Sequence, residues 1–149
     1  MDSELAPGLA ADLRVLIGRL HRRLREQGHI GDLTLSQVAV LRRLEEGGPA
    51  TVTALARAEG MRPQSMGANV DALEATGLVS RAADPADGRQ TILSLTPACR
   101  EKLRAGRLAR EDWLARAIQG SFDAREQAQL AEALDLLMRV AGWEPARNW

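Results

Sequence analysis

The sequence has few of the features that mark secreted, disulfide-bonded or membrane proteins. Cys99 is the single cysteine, so no internal disulfide can form. The opening residues, MDSELAPGLAADLR, carry acidic side chains where a secretion signal has a basic start and an apolar run. No stretch approaches the roughly 20 consecutive apolar residues of a membrane-spanning helix. These absences predict a soluble, cytoplasmic protein without a membrane partner.

Aromatic residues are also scarce, and neither sign of charge is in excess. Aromatic side chains make up 3% of the chain, so the core has to come from Leu, Ala, Val and Ile, which together with Arg and Glu favour helices. The 20 basic and 20 acidic residues give a formal net charge of zero, whereas binding to nucleic-acid phosphates favours positive charge. Composition therefore predicts one mainly helical domain, residues 1–149, and gives no indication of a nucleic-acid partner.

Apolar residues recur at helical spacing on both sides of a short central segment. A first long helix ends before Gly28. Thr34 and Gln37 have the spacing of a capping box, which predicts the start of a second helix. Two more helices are predicted to begin at Pro97 and after Asp123.

Two shorter helices are predicted in the central segment. Thr51 can cap a helix of about two turns that stops at Gly60. Pro63 suits the first position of the next helix, because its missing N–H would be unpaired there in any case. The apolar stripe of this helix consists of Met66, Val70 and Leu73. Two helices joined by a glycine-containing turn make a helix-turn-helix unit.

A β-hairpin is predicted directly after the helix-turn-helix unit. Residues 78–83 (LVSRAA) and 90–96 (QTILSLT) have the composition of strands, and the turn-forming residues DPADGR separate them. The predicted fold class is therefore mainly α with a small β-hairpin wing.

The order of these elements, together with the string LEATGLVSRAADPADGRQTILSLTPA, resembles the MarR family (multiple-antibiotic-resistance regulators). The most specific part of the match runs from Ala50 to Ala98. The resemblance implies a winged helix-turn-helix DNA-binding lobe at residues 34–97 and dimerisation helices at 1–33 and 98–149. It also implies a homodimer, formed by the N- and C-terminal helices, whose two lobes sit on successive major grooves of a near-palindromic operator. Apolar stripes on the terminal helices agree with this, because a second copy would bury them.

The second helix of the helix-turn-helix unit would then be the recognition helix. Its candidate DNA-binding residues are Arg62, Pro63, Gln64, Ser65 and Asn69. The side-chain amides of Gln64 and Asn69 can pair with the major-groove edge of adenine, and Ser65 can donate to a base or a phosphate. Arg62 can reach guanine or the backbone. The alternative is that Gln64 and Ser65 only solvate the start of a helix.

The predicted wing carries an Asp-x-Arg pair, Asp87 and Arg89, around Gly88. The resemblance implies that Arg89 enters the minor groove while Asp87 holds its guanidinium in place. Gly88 would let the tip turn sharply. The alternative is an exposed ion pair in a hairpin loop, without function.

Two features argue against strong DNA binding. Gly67 and Ala68 lie where the family often carries Thr and Arg, which removes two polar side chains from the recognition helix. Four arginines between Ala50 and Thr96 are outnumbered by five acidic residues. Affinity must then depend on where the arginines point, which predicts modest, salt-sensitive non-specific binding.

No cofactor, metal or enzymatic activity is predicted. His21 and His29 are the only histidines, and Cys99 is too distant in sequence to complete a zinc motif. The chain has no Gly-rich phosphate loop, Ser/His/Asp arrangement or HExxH motif. The sequence therefore predicts that the protein is not an enzyme.

The resemblance also implies a cavity for a small aromatic effector. Arg14, His21 and Trp113 are its candidate lining residues; alternatively, Trp113 anchors a dimer core while Arg14 and His21 lie on a helix surface. The predicted function is sequence-specific transcription regulation by a homodimeric repressor that such an effector relieves. Two alternatives stay open: a winged-helix protein-interaction module, and a thiol-based redox sensor that uses Cys99.

Overall fold

Residues 5–144 are the part of the chain that the computed structural model describes, and they form six helices and three short strands. In chain order these are α1 (Leu5–Gln27), α2 (Leu35–Gly47), β1 (Ala50–Thr51), α3 (Val52–Ala58), α4 (Pro63–Ala75), β2 (Val79–Ala83), β3 (Thr91–Leu95), α5 (Pro97–Ser121) and α6 (Ala124–Ala141). None of these helices is long and apolar enough to span a bilayer. The chain divides into two units, Met1–Ala109 and Arg110–Trp149, and the boundary falls within α5.

Reciprocal side-chain caps fix the starts of α2, where the sequence predicts one, and of α6, where it predicts only that a helix begins after Asp123. At the start of α2, the hydroxyl of Thr34 accepts a hydrogen bond from the Gln37 N–H (3.2 Å), and Gln37 Oε1 accepts one from the Thr34 N–H (3.0 Å). This is the reciprocal capping box. In the second unit, Asp123 and Glu126 form the same arrangement before α6. Each box satisfies two N–H groups that a helix start leaves unpaired.

The helix-turn-helix unit forms where the sequence places it. Thr51 caps α3 by accepting a hydrogen bond from the Ala54 N–H (3.1 Å), and Gly60 ends the helix with a φ of 63°. Glycine is favoured there because other residues rarely adopt a positive φ. Pro63 is the first residue of α4. The predicted stripe of α4 is confirmed, since Met66, Val70 and Leu73 are all 0% exposed.

The wing belongs to an antiparallel sheet with the strand order β1-β3-β2. The predicted hairpin pairs β2 with β3 from Val79↔Leu95 to Ala83↔Thr91. The sequence did not predict β1, which pairs with β3 only through Ala50↔Leu93 and Thr51↔Ile92. Two residues are too short to show the alternation of a strand, so only the folded chain shows this pairing.

One hydrophobic core holds the first unit together. Its buried residues lie on α2, α3, α4, the sheet and the first turn of α5. They are Val40, Leu41, Leu44, Leu55, Ala56, Met66, Val70, Leu73, Leu78, Val79, Leu93, Leu95 and Cys99. Helices α1 and α6 contribute no buried residue. The core therefore positions the helix-turn-helix unit and the wing, while most of the large apolar residues of α1 and α6 stay exposed in the single chain.

Replacing Leu73 by Ala should remove a side chain from the centre of this core. We expect Leu73→Ala to lower the free energy of unfolding by about 2–5 kcal/mol, because a cavity remains where the side chain packed. The matched control is Leu35→Ala, since Leu35 is 73% exposed, and its effect should stay within about 0.5 kcal/mol. Urea denaturation at a fixed protein concentration measures both. Equal losses of unfolding free energy for the two variants would contradict the burial of Leu73 in this core.

Candidate nucleic-acid interface

The start of α4 presents polar residues on the side opposite the core. Successive residues of a helix are about 100° apart, so the buried stripe that begins at Met66 leaves Gln64 and Ala68 on the opposite face. Gln64 and Ser65 are exposed. Arg62, the N-cap residue, makes no side-chain cap hydrogen bond. The first N–H groups of α4 therefore lack a side-chain acceptor from their cap and favour an anion.

Asn69 differs from the other recognition-helix candidates. Its side chain is partly buried, and its Nδ2 lies 4.0 Å from Met61 Sδ in the turn before α4. It thus sits at the edge of the exposed face, towards α3. The proposed contact between Asn69 and adenine would require this amide to leave a weak contact with sulfur.

Small residues without polar side chains occupy the middle of the exposed face of α4. A Cβ atom added at Gly67 would meet no atom within 4 Å, and the φ of Gly67 does not lie in the left-handed region. Neither the packing nor the backbone of the protein therefore requires glycine at this position. Ala68 beside it is exposed. Another molecule can approach the helix backbone closely between Gln64 and Asp71.

Aspartate side chains build the tip of the wing. Asp84 Oδ1 accepts a hydrogen bond from the Ala86 N–H (2.8 Å), and Asp87 Oδ1 accepts one from the Arg89 N–H (3.1 Å). Both are turns in which a carboxylate binds the backbone two residues further on. The structure thus places the Asp87 carboxylate on the backbone of Arg89, where the sequence led us to expect a contact with its guanidinium. We expected Gly88 to allow a sharp turn at the tip. Its φ is not positive, so this turn does not require the conformational freedom of glycine.

The arginines of residues 34–97, together with Arg107 of α5, fall into two groups. Three of them join different elements through ion pairs with carboxylates: Arg43 with Glu59, Arg81 with Asp71 and Glu74, and Arg107 with Glu45. Four others are exposed and make no ion pair within residues 5–144: Arg42, Arg57, Arg62 and Arg89. Most acidic residues of the lobe are therefore already neutralised. The guanidinium groups of residues 34–97 that make no ion pair lie on α2, on α3, at the start of α4 and at the wing tip.

The sequence does not predict these ion pairs, and only the one made by Arg81 has a recognisable sequence pattern. Asp71 and Glu74 are three residues apart, which places them on one side of α4. Their partner Arg81 lies on a neighbouring strand, and its choice of partner depends on how that strand crosses the helix. Local spacing does not contain this information.

The candidate effector residues are not gathered in one place within the first unit. An open depression on α1 and the residues after it is lined by Gly18, His21, Arg22, Arg25, Glu26 and His29. Arg14 is not one of these residues, and Trp113 belongs to the second unit. Within the described part of the chain, no group of three or more His, Cys, Asp or Glu side chains is arranged to hold a metal ion.

Cys99 lies in the core and is 0% exposed. Its N–H donates a hydrogen bond to Thr96 Oγ1 (3.1 Å). Burial raises the pKa of its thiol, and the nearby charge of Glu45 raises this pKa further. Reactive cysteines have the opposite environment, exposed and electropositive. This placement argues against the redox-sensor alternative.

The fold and the site together define a winged-helix protein, in which a helix-turn-helix unit precedes a β-hairpin wing. Residues 31–90 match a family model described as MarR family. An HTH-type transcriptional regulator of Mycobacterium tuberculosis (strain CDC 1551 / Oshkosh) is 36% identical over 137 residues, which cover 92% of this chain and 95% of that protein. A regulator of Mycobacterium leprae (strain TN) is 34% identical over the same length. The chain belongs to the MarR family of transcriptional regulators.

Solved structures share the fold along most of its length. A transcriptional regulator protein of Pseudomonas aeruginosa PA01 superposes with a TM-score of 0.79 and 37% identity, covering 95% of this chain and 100% of that one. A MarR family protein of Bacillus stearothermophilus has a TM-score of 0.71 at 24% identity, covering 96% and 99%. A MepR variant of S. aureus, solved bound to an oligodeoxyribonucleotide, has a TM-score of 0.70 at 17% identity, covering 89% and 97%. The last two likenesses concern the fold alone.

The burial of Cys99 makes its reactivity testable. In the native protein at pH 8, we expect a soluble thiol reagent to label Cys99 at least about tenfold more slowly than in the unfolded chain, because burial excludes the reagent and disfavours the thiolate. The absorbance of the thiolate that the reagent releases measures the rate of labelling. Complete labelling of the folded protein at the rate of the unfolded chain would contradict the placement of Cys99 and revive the redox-sensor alternative.

Proposed function

We propose that this chain is a sequence-specific regulator that binds double-stranded DNA as a homodimer and represses transcription until an effector releases it. The observation that carries the proposal is the exposure of two side chains, Gln64 at the start of α4 and Arg89 at the wing tip. Both point away from the core, and neither is held by an ion pair or a side-chain hydrogen bond within the described residues. The MepR variant bound to an oligodeoxyribonucleotide supports this use of the fold.

The start of α4 would enter the major groove. The Gln64 amide can donate to and accept from adenine at the same time, a pattern that identifies this base in the major groove. Ser65 and the N–H groups of the first turn would meet phosphates, and Arg62 would reach the backbone or a guanine. Gly67 and Ala68 allow the helix to approach the bases closely.

The wing would enter the adjacent minor groove. Arg89 lies at the tip of the hairpin, and the two aspartate turns fix the backbone that carries it. A guanidinium is attracted to a narrow minor groove, where the electrostatic potential is most negative. Asp87 would then orient Arg89 through its backbone.

Two copies of the chain would associate through the terminal helices. The large apolar residues of α1 and α6 that are exposed in the single chain are Leu5, Leu9, Val15, Leu16, Ile17, Leu20, Leu134, Leu136, Leu137, Met138 and Val140. Soluble monomers rarely expose so many apolar side chains on two helices. A symmetric dimer would bury them and present two recognition helices at once.

Regulation would act through the spacing of the two lobes. Half-sites of an operator lie about 34–36 Å apart, one turn of DNA, so two recognition helices at another distance cannot both enter their grooves. An effector that binds better to a dimer with another spacing therefore lowers operator occupancy. The open depression that contains His21 is the effector site we propose, while the roles of Arg14 and Trp113 remain predictions from the family resemblance.

The DNA contacts can be tested on duplexes selected from a random pool. Gln64→Ala should weaken binding to the selected duplex by roughly tenfold to 100-fold, because a bidentate pair with a base contributes about 1–3 kcal/mol. Arg89→Ala should also weaken binding to the selected duplex, most strongly where the minor groove under the wing is narrow, and should reduce the slope of log affinity against log salt by about 1. Fluorescence anisotropy at several salt concentrations measures both effects.

The matched control for these variants is Arg104→Ala, since Arg104 is an exposed arginine of α5 that pairs with Glu101. Its affinity for the selected duplex should equal that of the wild type. If neither Gln64→Ala nor Arg89→Ala weakens binding, or if the wild type selects no duplex, the protein-interaction alternative replaces the proposal.

The proposed dimer can be tested by placing a charge on the apolar face of α6. Leu134→Glu should shift the protein towards monomers, because the carboxylate would be buried without a partner. Ala128→Glu adds the same charge on the exposed side of α6 that carries Glu132, Asp135 and Arg139, and should leave the dimer intact. Sedimentation velocity at micromolar concentration distinguishes the two states. A wild type that sediments as a monomer at this concentration would refute the proposal.

A further inference from the structure

The wing has few apolar contacts beyond its base. Val79 is the only buried residue of β2, and the strand is exposed from Ser80 onwards. The tip from Pro85 to Gln90 is exposed as well. Hydrophobic packing therefore fixes the base of the hairpin but not the direction of its outer half.

Arg81 joins the wing to α4 where this packing ends. In the β2–β3 register it lies opposite Leu93, which is buried, and two residues after Val79. Residues directly opposite each other in an antiparallel pair share one face of the sheet. Arg81 thus starts from the core-facing side of β2, at the first position where the core no longer covers the strand.

The guanidinium of Arg81 binds two carboxylates of α4. Its Nε donates a hydrogen bond to Glu74 Oε2 (2.9 Å), and its second amino group donates to Asp71 Oδ1. The Arg81 side chain is 33% exposed, against 71% for Asp71 and 44% for Glu74. The planar guanidinium can hold both carboxylates at once, a geometry that the single ammonium of lysine does not reproduce.

The two carboxylates do not favour α4 by themselves. Asp71 and Glu74 repel each other three residues apart, and Glu74 lies in the last turn, where the helix dipole disfavours a negative charge. Both become favourable only when a cation from another element is fixed between them. Their presence on α4 is explained by the contact with the wing.

We propose that Arg81 is a positioning residue that fixes the direction of the wing relative to the recognition helix, so that Arg89 reaches the minor groove while Gln64 is in the major groove. The first half of this inference concerns the free protein. The second half rests on the proposed function, since it requires that Gln64 and Arg89 bind DNA.

The free protein tests the first half without DNA. Arg81→Gln should accelerate hydrogen exchange of the wing amides by about fivefold, the factor that corresponds to the upper range for an exposed ion pair. Amides of α3 and of the buried side of α4 should keep their rates. The control is Arg104→Gln, which removes a bidentate pair with Glu101 inside a single helix and should leave the wing unchanged. Unchanged exchange of the wing in Arg81→Gln would overturn the proposal.

A double-mutant cycle tests the second half. Arg81→Gln alone should weaken binding to the selected duplex by about fivefold to tenfold, because the wing is no longer held in the productive direction. In the Arg89→Ala background the same change should cost at least about twofold less than in the wild type, since the contact that Arg81 positions is already absent and only the repulsion by Asp71 and Glu74 remains. Additive effects would mean that Arg81 acts independently of the wing tip, and would overturn this half.

A third variant separates positioning from charge. Arg81→Gln leaves two unpaired carboxylates near the DNA, which would weaken binding by repulsion alone. Combining it with Asp71→Asn and Glu74→Gln removes this repulsion, so a triple variant that binds at wild-type strength would overturn the positioning role. We expect the triple variant to stay at least about threefold weaker than the wild type. If the wild type binds no duplex, the proposed function fails, and hydrogen exchange still decides whether Arg81 fixes the wing.

Discussion

The burial of one side of α4 is the constraint on which the rest of the first unit depends. Met66, Val70 and Leu73 pack against α2, α3 and the sheet, and this contact fixes which side of the helix faces outwards. The exposed face cannot rotate without bringing polar residues into the core, which would cost more than the helix gains from any surface contact. The direction of Gln64 thus follows from residues that never reach the surface.

The charged residues around this apolar contact are arranged so that positive charge stays unpaired only at particular places on the surface. The lobe has no net positive charge, yet its acids are used to join α2 to α3, α4 to β2 and α2 to α5. Each of these pairs neutralises an arginine as well as an acid. The remaining guanidinium groups therefore define the attractive surface, and the total charge of the chain does not describe it.

Local rules predicted most of the elements, because their signals lie within a few residues of each other. The capping box at Thr34, the turn at Gly60 and the helix start at Pro63 are all confirmed. The sequence did not predict β1, because its two residues form a strand only through pairing with β3. Interactions between elements were missed for the same reason.

At the candidate site, the sequence predicted which side chains are exposed better than it predicted their contacts. Gln64, Ser65 and Arg89 are exposed as a DNA-contact role requires, whereas Asn69 is partly turned towards Met61. The role predicted for the Asp87 side chain was a contact with the Arg89 guanidinium. A spacing of two residues allows the Asp87 carboxylate to bind either the Arg89 guanidinium or the Arg89 N–H. The folded structure shows the second arrangement.

The extent of the core has a consequence for synthesis of the chain. Every core residue lies between Val40 and Cys99, and α6 supplies none. A nascent polypeptide can therefore complete its helix-turn-helix lobe while the C-terminal helix is still being translated, because the last residue packed against this core is Leu103 of α5. The apolar residues of α1 and α6 play no part in this step, since none of them belongs to the core.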